Sequence, residues 1–341
     1  MLKVLVFRST AALLALAAAL LISEVTVRFL APQSDAILWV QPDPRYGYVQ
    51  KPNFSQRFRF GSGKEEMHVS INSLGLRMAE IDPGALRDPG TIKILLLGDS
   101  FTFGHGVELE DHFATLLQEL LERGEDGYLV INAGVSGWGT IQELRYGRDH
   151  LQLFQPSVVV LVFCGNDPED DERFLARSAA GISAAPRFAL LCHHSHLFRF
   201  MLAGRQRLAH NLRARAASGK GKVLDPQSAS LISEAQWRRT SEAVEEFRCQ
   251  YLSRFPSGRL LLLASDPLND VIAANLSRWA QGPGSCHVDW AGSAAALPSS
   301  ARRLSYDGHW SPEMHRAVAS ALAAAIQNQG ATNAVDQSMQ R

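Results

Sequence analysis

From Ile92 onward the chain alternates between two patterns. Short, almost unbroken aliphatic runs occur at Ile92–Leu97, Tyr128–Ile131, Val158–Phe163, Arg259–Ala264 and Cys286–Trp290. Between them, Asp111–Arg123, Thr140–Phe154, Ser228–Phe255 and Pro267–Trp279 space their apolar residues as helices do, and Pro312–Gln327 closes the series as a further helix. A continuous apolar run marks a strand covered on both faces. Such strands alternating with helices predict a parallel sheet of about five strands with helices on both faces, an α/β three-layer sandwich.

Upstream the pattern differs. Residues 33–90 are rich in Pro, Gly and aromatics, and the alternation in Phe54–Phe60, the turn Gly61-Ser62-Gly63 and Met67–Ile71 predict a β-hairpin. Ahead of it, Lys3 and Arg8 precede an apolar run from Ala11 to Ile22, with Glu24 and Arg28 following. Residues 1–32 are therefore a targeting segment. Adding Val4–Phe7, with Arg8 snorkelling, brings the run near the roughly 20 residues that span a bilayer. Phe29-Leu30-Ala31 runs into Pro32, a poor cleavage site, so a retained single-pass anchor is expected ahead of a cleaved signal or a core helix. The early positive charges place the N-terminus inside and the bulk of the chain outside the membrane, periplasmic in a Gram-negative bacterium.

The predicted domain plan is an anchor or signal over 1–32, a preamble over 33–90, an α/β domain over 91–327 and a disordered tail over 328–341. An Ala/Arg-rich insertion at about 168–227 interrupts the rhythm and reads equally as a lid or as a solvated excursion.

Charge and cysteines narrow the partners. The chain has 34 basic and 34 acidic residues, so nothing global points to nucleic acid, and none is expected as a partner. Cys164, Cys192, Cys249 and Cys286 are far apart, which argues against a zinc module. One disulfide among the last three and free thiols both remain open.

Ligands of an open α/β sheet gather beyond the carboxyl ends of its strands. There the sequence places Gly98-Asp99-Ser100, then Asn132–Gly139, then Gly165-Asn166-Asp167, and finally Tyr306–Trp310 before the last helix. These runs hold the parts of an acyl-transfer site. Ser100 supplies a hydroxyl nucleophile and His309 an imidazole base near neutrality. Asp307 stands two residues from His309, where it can orient the ring. Donors for an oxyanion come from the Ser100 and Gly137 N–H groups and the Asn166 amide.

Gly98-Asp99-Ser100, Gly137 within its Asn-x-Gly-x-Ser-Gly run, Gly165-Asn166-Asp167, and Asp307 with His309 resemble, in order, the four blocks of the SGNH (GDSL-type) hydrolases. The resemblance covers about Lys93–Gln327 outside the insertion. It implies a flavodoxin-like sandwich and Ser-Asp-His catalysis on esters. Ser100 is then the nucleophile, His309 the base and Asp307 its orienting acid, with Ser100, Gly137 and Asn166 as oxyanion hole. No metal or organic cofactor is implied. Many members place the acid three residues before the histidine, and the shorter spacing here resembles the membrane-tethered, extracytoplasmic branch, including relatives that acetylate or deacetylate polysaccharides. "YGYVQKPN" and "INSLGLR" are similar to anchored bacterial members.

The expected function is thus an extracytoplasmic serine esterase acting on a small ester or on an acylated glycan or lipid, including O-acetyl groups. The alternatives are an O-acyltransferase of an envelope polysaccharide and a non-catalytic binding or assembly protein on the same fold.

Four further features are weighed. Asp99 and Asp167 read as caps rather than catalysts. Cys192–His196 reads as polar surface rather than a metal site, for want of matching carboxylates. Gly104-His105-Gly106 lacks the spacing of a phosphate loop. Trp138 and Trp310 either stack on a sugar or roof the core.

Overall fold

A computed structural model describes residues 2–31, 33, 38–60, 65–123, 127–179, 195–202, 204–205, 232–305 and 308–339. They divide into two compact units. The first comprises Met1–Leu38, Phe58–Glu66 and Ala185–Asp225, and the second Trp39–Arg57, Met67–Ala184 and Pro226–Arg341.

In chain order the named elements are α1 (Leu2–Leu30), β1 (Val40–Asp43), β2 (Gly47–Gln50), β3 (Ser55–Phe60), β4 (Glu65–Ser70), α2 (Pro83–Arg87), β5 (Ile92–Gly98), α3 (Ser100–Phe103), α4 (Phe113–Leu121), β6 (Tyr128–Asn132), α5 (Thr140–Phe154), β7 (Val158–Phe163) and α6 (Asp167–Ala179). They continue with α7 (Glu234–Arg254), β8 (Arg259–Ala264), α8 (Asp270–Trp279), β9 (Ser285–His287), α9 (Ala291–Ala295) and α10 (Pro312–Met339).

Five of the strands form one parallel sheet in the order β6-β5-β7-β8-β9. This is the flavodoxin-like order, with the chain reversing direction across the sheet between β5 and β7. Alternation decides which residues face which layer. Ile94, Leu96, Val160, Val162, Leu261 and Leu263 pack beneath α4 and α10, through residues such as Leu117 and Val318. Leu95, Leu97, Val159, Leu161, Leu260 and Leu262 face α5, α7 and α8, through Leu144, Phe247 and Leu276. Each such side chain withdrawn from water contributes about 1.5–3 kcal/mol, which holds the register against a one-residue slip.

Caps trim the expected helices. Ser233 and Gln236 form a capping box, so α7 begins at Glu234. Asn269 caps Ile272, so α8 begins at Asp270 rather than Pro267. The expected 111–123 helix opens as a 3-10 turn at Leu109–Asp111, and α4 starts after His112, whose ring accepts from the Ala114 N–H. The last strand is only Ser285–His287, because Trp290 turns out of the edge to bond the Ala264 carbonyl. The final helix extends past Gln327 to Met339.

Residues 167–179, expected as a loop cap and the start of the insertion, are helix α6. Its acidic first turn and Arg177 near its end suit the helix dipole. Of the remaining insertion, 180–194, 203 and 206–227 lie outside the described residues. The β1–β2 hairpin was not anticipated, whereas β3–β4 occupies the predicted hairpin.

In the first unit, α1 carries one stretch, Val6–Leu30, long and apolar enough to cross a membrane, and none of its apolar window is buried. Residues 196–202 are also helical.

Candidate active site

β5 delivers Ser100. Asp99 caps α3 by accepting the Phe101 N–H at 2.9 Å, which makes Ser100 the first helical residue at the strand's carboxyl end. Its Oγ lies 2.8 Å from His309 Nε2 and 3.4 Å from Asp99 Oδ2. The far end of α3 is held by Arg77, 1% exposed, whose guanidinium donates to the Phe103, Gly104 and Val107 carbonyls at 2.8, 2.6 and 2.6 Å. A cation at a helix carboxyl end opposes the partial negative charge there. Burial lowers the Arg77 pKa to about 10, which leaves it charged at neutral pH.

His309 is fixed by its neighbours. The Leu304 N–H donates to the His309 carbonyl at 2.9 Å, and Arg303 Nη1 to the Gly308 carbonyl at 2.6 Å. Trp310, 1% exposed, anchors the following residue through Nε1 to the Ser265 carbonyl at 2.8 Å. The imidazole lies against Phe101 and His105, with ring centroids 5.0 and 4.6 Å away. Asp307, together with Tyr306, lies outside the described residues.

The loop after β6 brings Gly137. Val135–Trp138 is a turn closed by the Trp138 N–H to the Val135 carbonyl at 3.1 Å, and Gly137 has φ +80°. That is the third position of a type II turn, which requires glycine or nearly so. The preamble grips this loop, a role that periodicity did not reveal. Gln50 Nε2 donates to the Gly134 carbonyl at 2.6 Å, Tyr48 Oη to the Ser136 carbonyl at 2.9 Å, and Trp138 Nε1 to the Tyr48 carbonyl at 3.1 Å. With the carbonyls so engaged, the Gly137 and Ser100 N–H groups have no acceptor among the described residues. Trp138 is wholly buried, so both tryptophans belong to the core and neither is a sugar platform.

Gly134 presses this loop onto α3. A Cβ there would lie 2.5 Å from both the Phe103 nitrogen and the Thr102 carbonyl carbon. Backbone cannot swing aside as a side chain can. Gly134→Ala is expected to cost about 3 kcal/mol, read as a Tm drop of several degrees by calorimetry.

Asn166 follows β7, the neighbour of β5 at the reversal point. Its Nδ2 donates to Asp170 Oδ2 at 2.7 Å and its Oδ1 accepts from Cys164 Sγ at 2.7 Å, which fixes the amide plane and leaves a second N–H. Asp170 and Gly137 line one cleft of about 150 Å³ with Tyr48, Arg173 and Phe174. Asp99, Cys164 and Asp167 place ligand-type atoms within 4.8 Å of one another. Each already has protein partners: Asp99 takes the Phe101 N–H, and Asp167 takes the Cys164 N–H and the Thr140 hydroxyl. Burial pushes the Cys164 thiol well up, so it stays a neutral donor. Asp99 is a buried helix cap, as expected, whereas Asp167, also buried, is the first residue of α6 and accepts from the loop before it and from α5.

Around them lies an acidic interior. Glu143, Asp167 and Asp171 are at most 1% exposed. Burial first, then repulsion from Asp167 on Glu143 and from Asp99 on Asp167, pushes both carboxyls well above their ordinary values. Burial raises Asp171 from 3.8 to about 7, against the lowering effect of the Ile141 N–H. The folded protein thus holds a proton on Asp171 that the unfolded chain releases near 3.8. Its contribution to stability is complete below that value and declines as pH rises through about 7. Asp171→Asn keeps an acceptor for Ile141. It should flatten the fall in Tm between about pH 4 and about pH 7, where a single proton is worth at most about 1.4 kcal/mol per pH unit.

Of the cysteines, Cys164 and Cys249 are free thiols, while Cys192 lies outside the described residues, as do His193 and His194. His196 is buried rather than on the polar surface expected, and its Nδ1 accepts the Gln33 N–H at 3.0 Å.

A flavodoxin-order α/β/α sandwich with a serine and a histidine in hydrogen-bond contact beyond its strand ends defines a class of fold and site. Residues 96–317 match the GDSL-like Lipase/Acylhydrolase family, and the chain belongs to it. No curated protein matches the sequence. Among solved structures, it is similar to the Clostridium thermocellum family 3 carbohydrate esterase, at 18% identity over 68% of this chain and 93% of that one, TM-score 0.41. A lipase/acylhydrolase from Enterococcus faecalis is similar at 15% identity over 70% and 96%, TM-score 0.40. A two-domain esterase active on acetylated mannans is similar at 14% identity over 70% and 49%, TM-score 0.41.

Proposed function

We propose that the protein is a membrane-anchored, extracytoplasmic serine esterase that works through a Ser100 acyl-enzyme. The observation carrying this reading is the 2.8 Å contact between Ser100 Oγ and His309 Nε2 at the carboxyl edge of the sheet. The hydroxyl proton goes to the nearer acceptor, His309 Nε2, rather than to Asp99 Oδ2 at 3.4 Å. As Oγ bonds to the ester carbonyl carbon, that proton passes to the imidazole, and Asp307 two residues away orients the ring. The Ser100 and Gly137 N–H groups and the Asn166 amide hold the resulting oxyanion. Collapse expels the alcohol, which takes the proton from His309. Water, deprotonated by the same nitrogen, then releases the acid and restores Ser100. No metal or cofactor enters these steps.

The substrate class that fits is a carboxylic ester, O-acetyl groups on carbohydrate or lipid included. α1 supplies the anchor, its Lys3 and Arg8 setting the N-terminus inside.

A fluorophosphonate probe and a short-chain aryl ester test the chemistry on the full chain in detergent. Expected are one phosphonyl adduct, on Ser100, and hydrolysis that stops when it forms. A protein that turns over the ester without an adduct on Ser100 would exclude this mechanism.

A further inference from the structure

Glu24 is a charge inside Val6–Leu30, the one stretch among the described residues able to cross a membrane, and its carboxylate is taken up by another part of the chain. It accepts Ser195 Oγ–H at 2.8 Å and the His196 and Leu197 N–H groups at 2.9 Å each. Arg28, one turn along α1, donates to it at 3.0 Å. Ser195 Oγ also accepts the Phe198 N–H at 3.0 Å. The first turn of the 196–202 helix is thereby satisfied by two side chains, one of them from α1.

The depth of this junction follows from α1. The residues between Arg8 and Glu24 carry no charge, and at 1.5 Å per residue they cover only about 24 Å from one charge to the other. That is less than the roughly 30 Å of a bilayer's hydrocarbon. Arg8 and Glu24 therefore sit near its opposite boundaries, and whatever bonds Glu24 lies at the boundary too. At that level the 196–202 helix presents Leu197, Phe200 and Met201, spaced i, i+3, i+4 along one face. Phe200 is 46% and Met201 53% exposed. Arg199 lies on the opposite face. Arg199, Arg28 and Arg59 all act on the buried His196 ring, opposed by Glu24 alone among the groups that act on it most, an excess of positive charge suited to anionic headgroups.

We infer that residues 195–202 are a second membrane contact, an interfacial helix pinned to α1 by Glu24, with Leu197, Phe200 and Met201 entering an anionic bilayer at its acyl–headgroup boundary. The inference rests on α1 being the anchor. Covering these residues with lipid removes exposed apolar surface, and seating Glu24 among four donors removes the cost of a bare carboxylate at that depth.

The test uses full-length protein in phosphatidylcholine–phosphatidylglycerol vesicles, with p-benzoylphenylalanine replacing Phe200 in one sample and Leu21 in another. Irradiation should give lipid adducts at both positions by mass spectrometry. Glu24→Ala should reduce the adduct at position 200 by about tenfold and leave that at 21 unchanged. Lipid adducts at 21 but none at 200 would overturn the inference while keeping the anchor. A covalent dimer at 200 in place of lipid adducts would overturn it in favour of a second copy of the chain. Absence of lipid adducts at 21 would remove the anchor, and the inference with it.

Discussion

Replacing Ser100 with Ala should reduce kcat by about 10⁴–10⁶-fold and abolish phosphonylation, with the fold intact. The side chain is small and only partly buried, and the cap on α3 comes from Asp99 rather than Ser100, so its loss removes chemistry without unfolding the helix. His309→Ala should have a comparable effect, because the hydroxyl is a poor nucleophile unless Nε2 takes its proton from 2.8 Å away. Residues that act as one unit are not additive, so the double variant should be no slower than the worse single one. Stopped-flow or endpoint assays with an aryl ester measure this. A Ser100→Ala protein retaining more than about a hundredth of the rate would mean that another group attacks.

The second large effect concerns Asn166. Asn166→Ala should lower kcat by about 10²–10³-fold with KM little changed, the signature of a donor that acts on charge formed only in the transition state. Its amide is held in place before substrate arrives, by Asp170 on one side and the Cys164 thiol on the other. Preorganisation of this kind is what makes a donor effective, since no reorientation is needed as charge develops. If kcat stays and KM rises, Asn166 binds the ground state instead, and the oxyanion must rely on the backbone N–H groups of Ser100 and Gly137.

The contact of His309 with Ser100 spans most of the domain in sequence, yet both partners were legible beforehand. Each belongs to a short run that makes sense at a strand's carboxyl end, and the order of those runs repeats a family pattern. Strand positions were legible for a simple reason: Val158–Phe163 and Arg259–Ala264 are buried on both faces and read as unbroken apolar runs. Helix starts were less so. A cap such as Asn269 or Ser233 is one polar residue among several candidates, and only the folded backbone shows which side chain reaches an N–H.

α6 and the β1–β2 hairpin escaped detection because their stability comes from partners distant in the chain. Phe174 is buried although its helix is mostly polar, and the short strands of the hairpin gain their purpose from Gln50 and Tyr48 reaching the loop of Gly137. Likewise "INSLGLR" stands out as a resemblance, but the work of Arg77 on the carboxyl end of α3 has no sequence signal, since a lone arginine is ordinarily a surface residue.

The sequence by itself determined the sandwich, the strand order's raw material, the apolar N-terminal stretch and the residues able to do ester chemistry. These follow from local periodicity and from residue type, which need no partner. Tertiary structure decided which of them meet. It put His309 on Ser100, buried both tryptophans, gave the preamble its grip on the Gly137 loop, and gathered Glu143, Asp167 and Asp171 into one acidic interior. Those outcomes depend on distances between segments far apart in the chain, and such distances are fixed only when the layers pack.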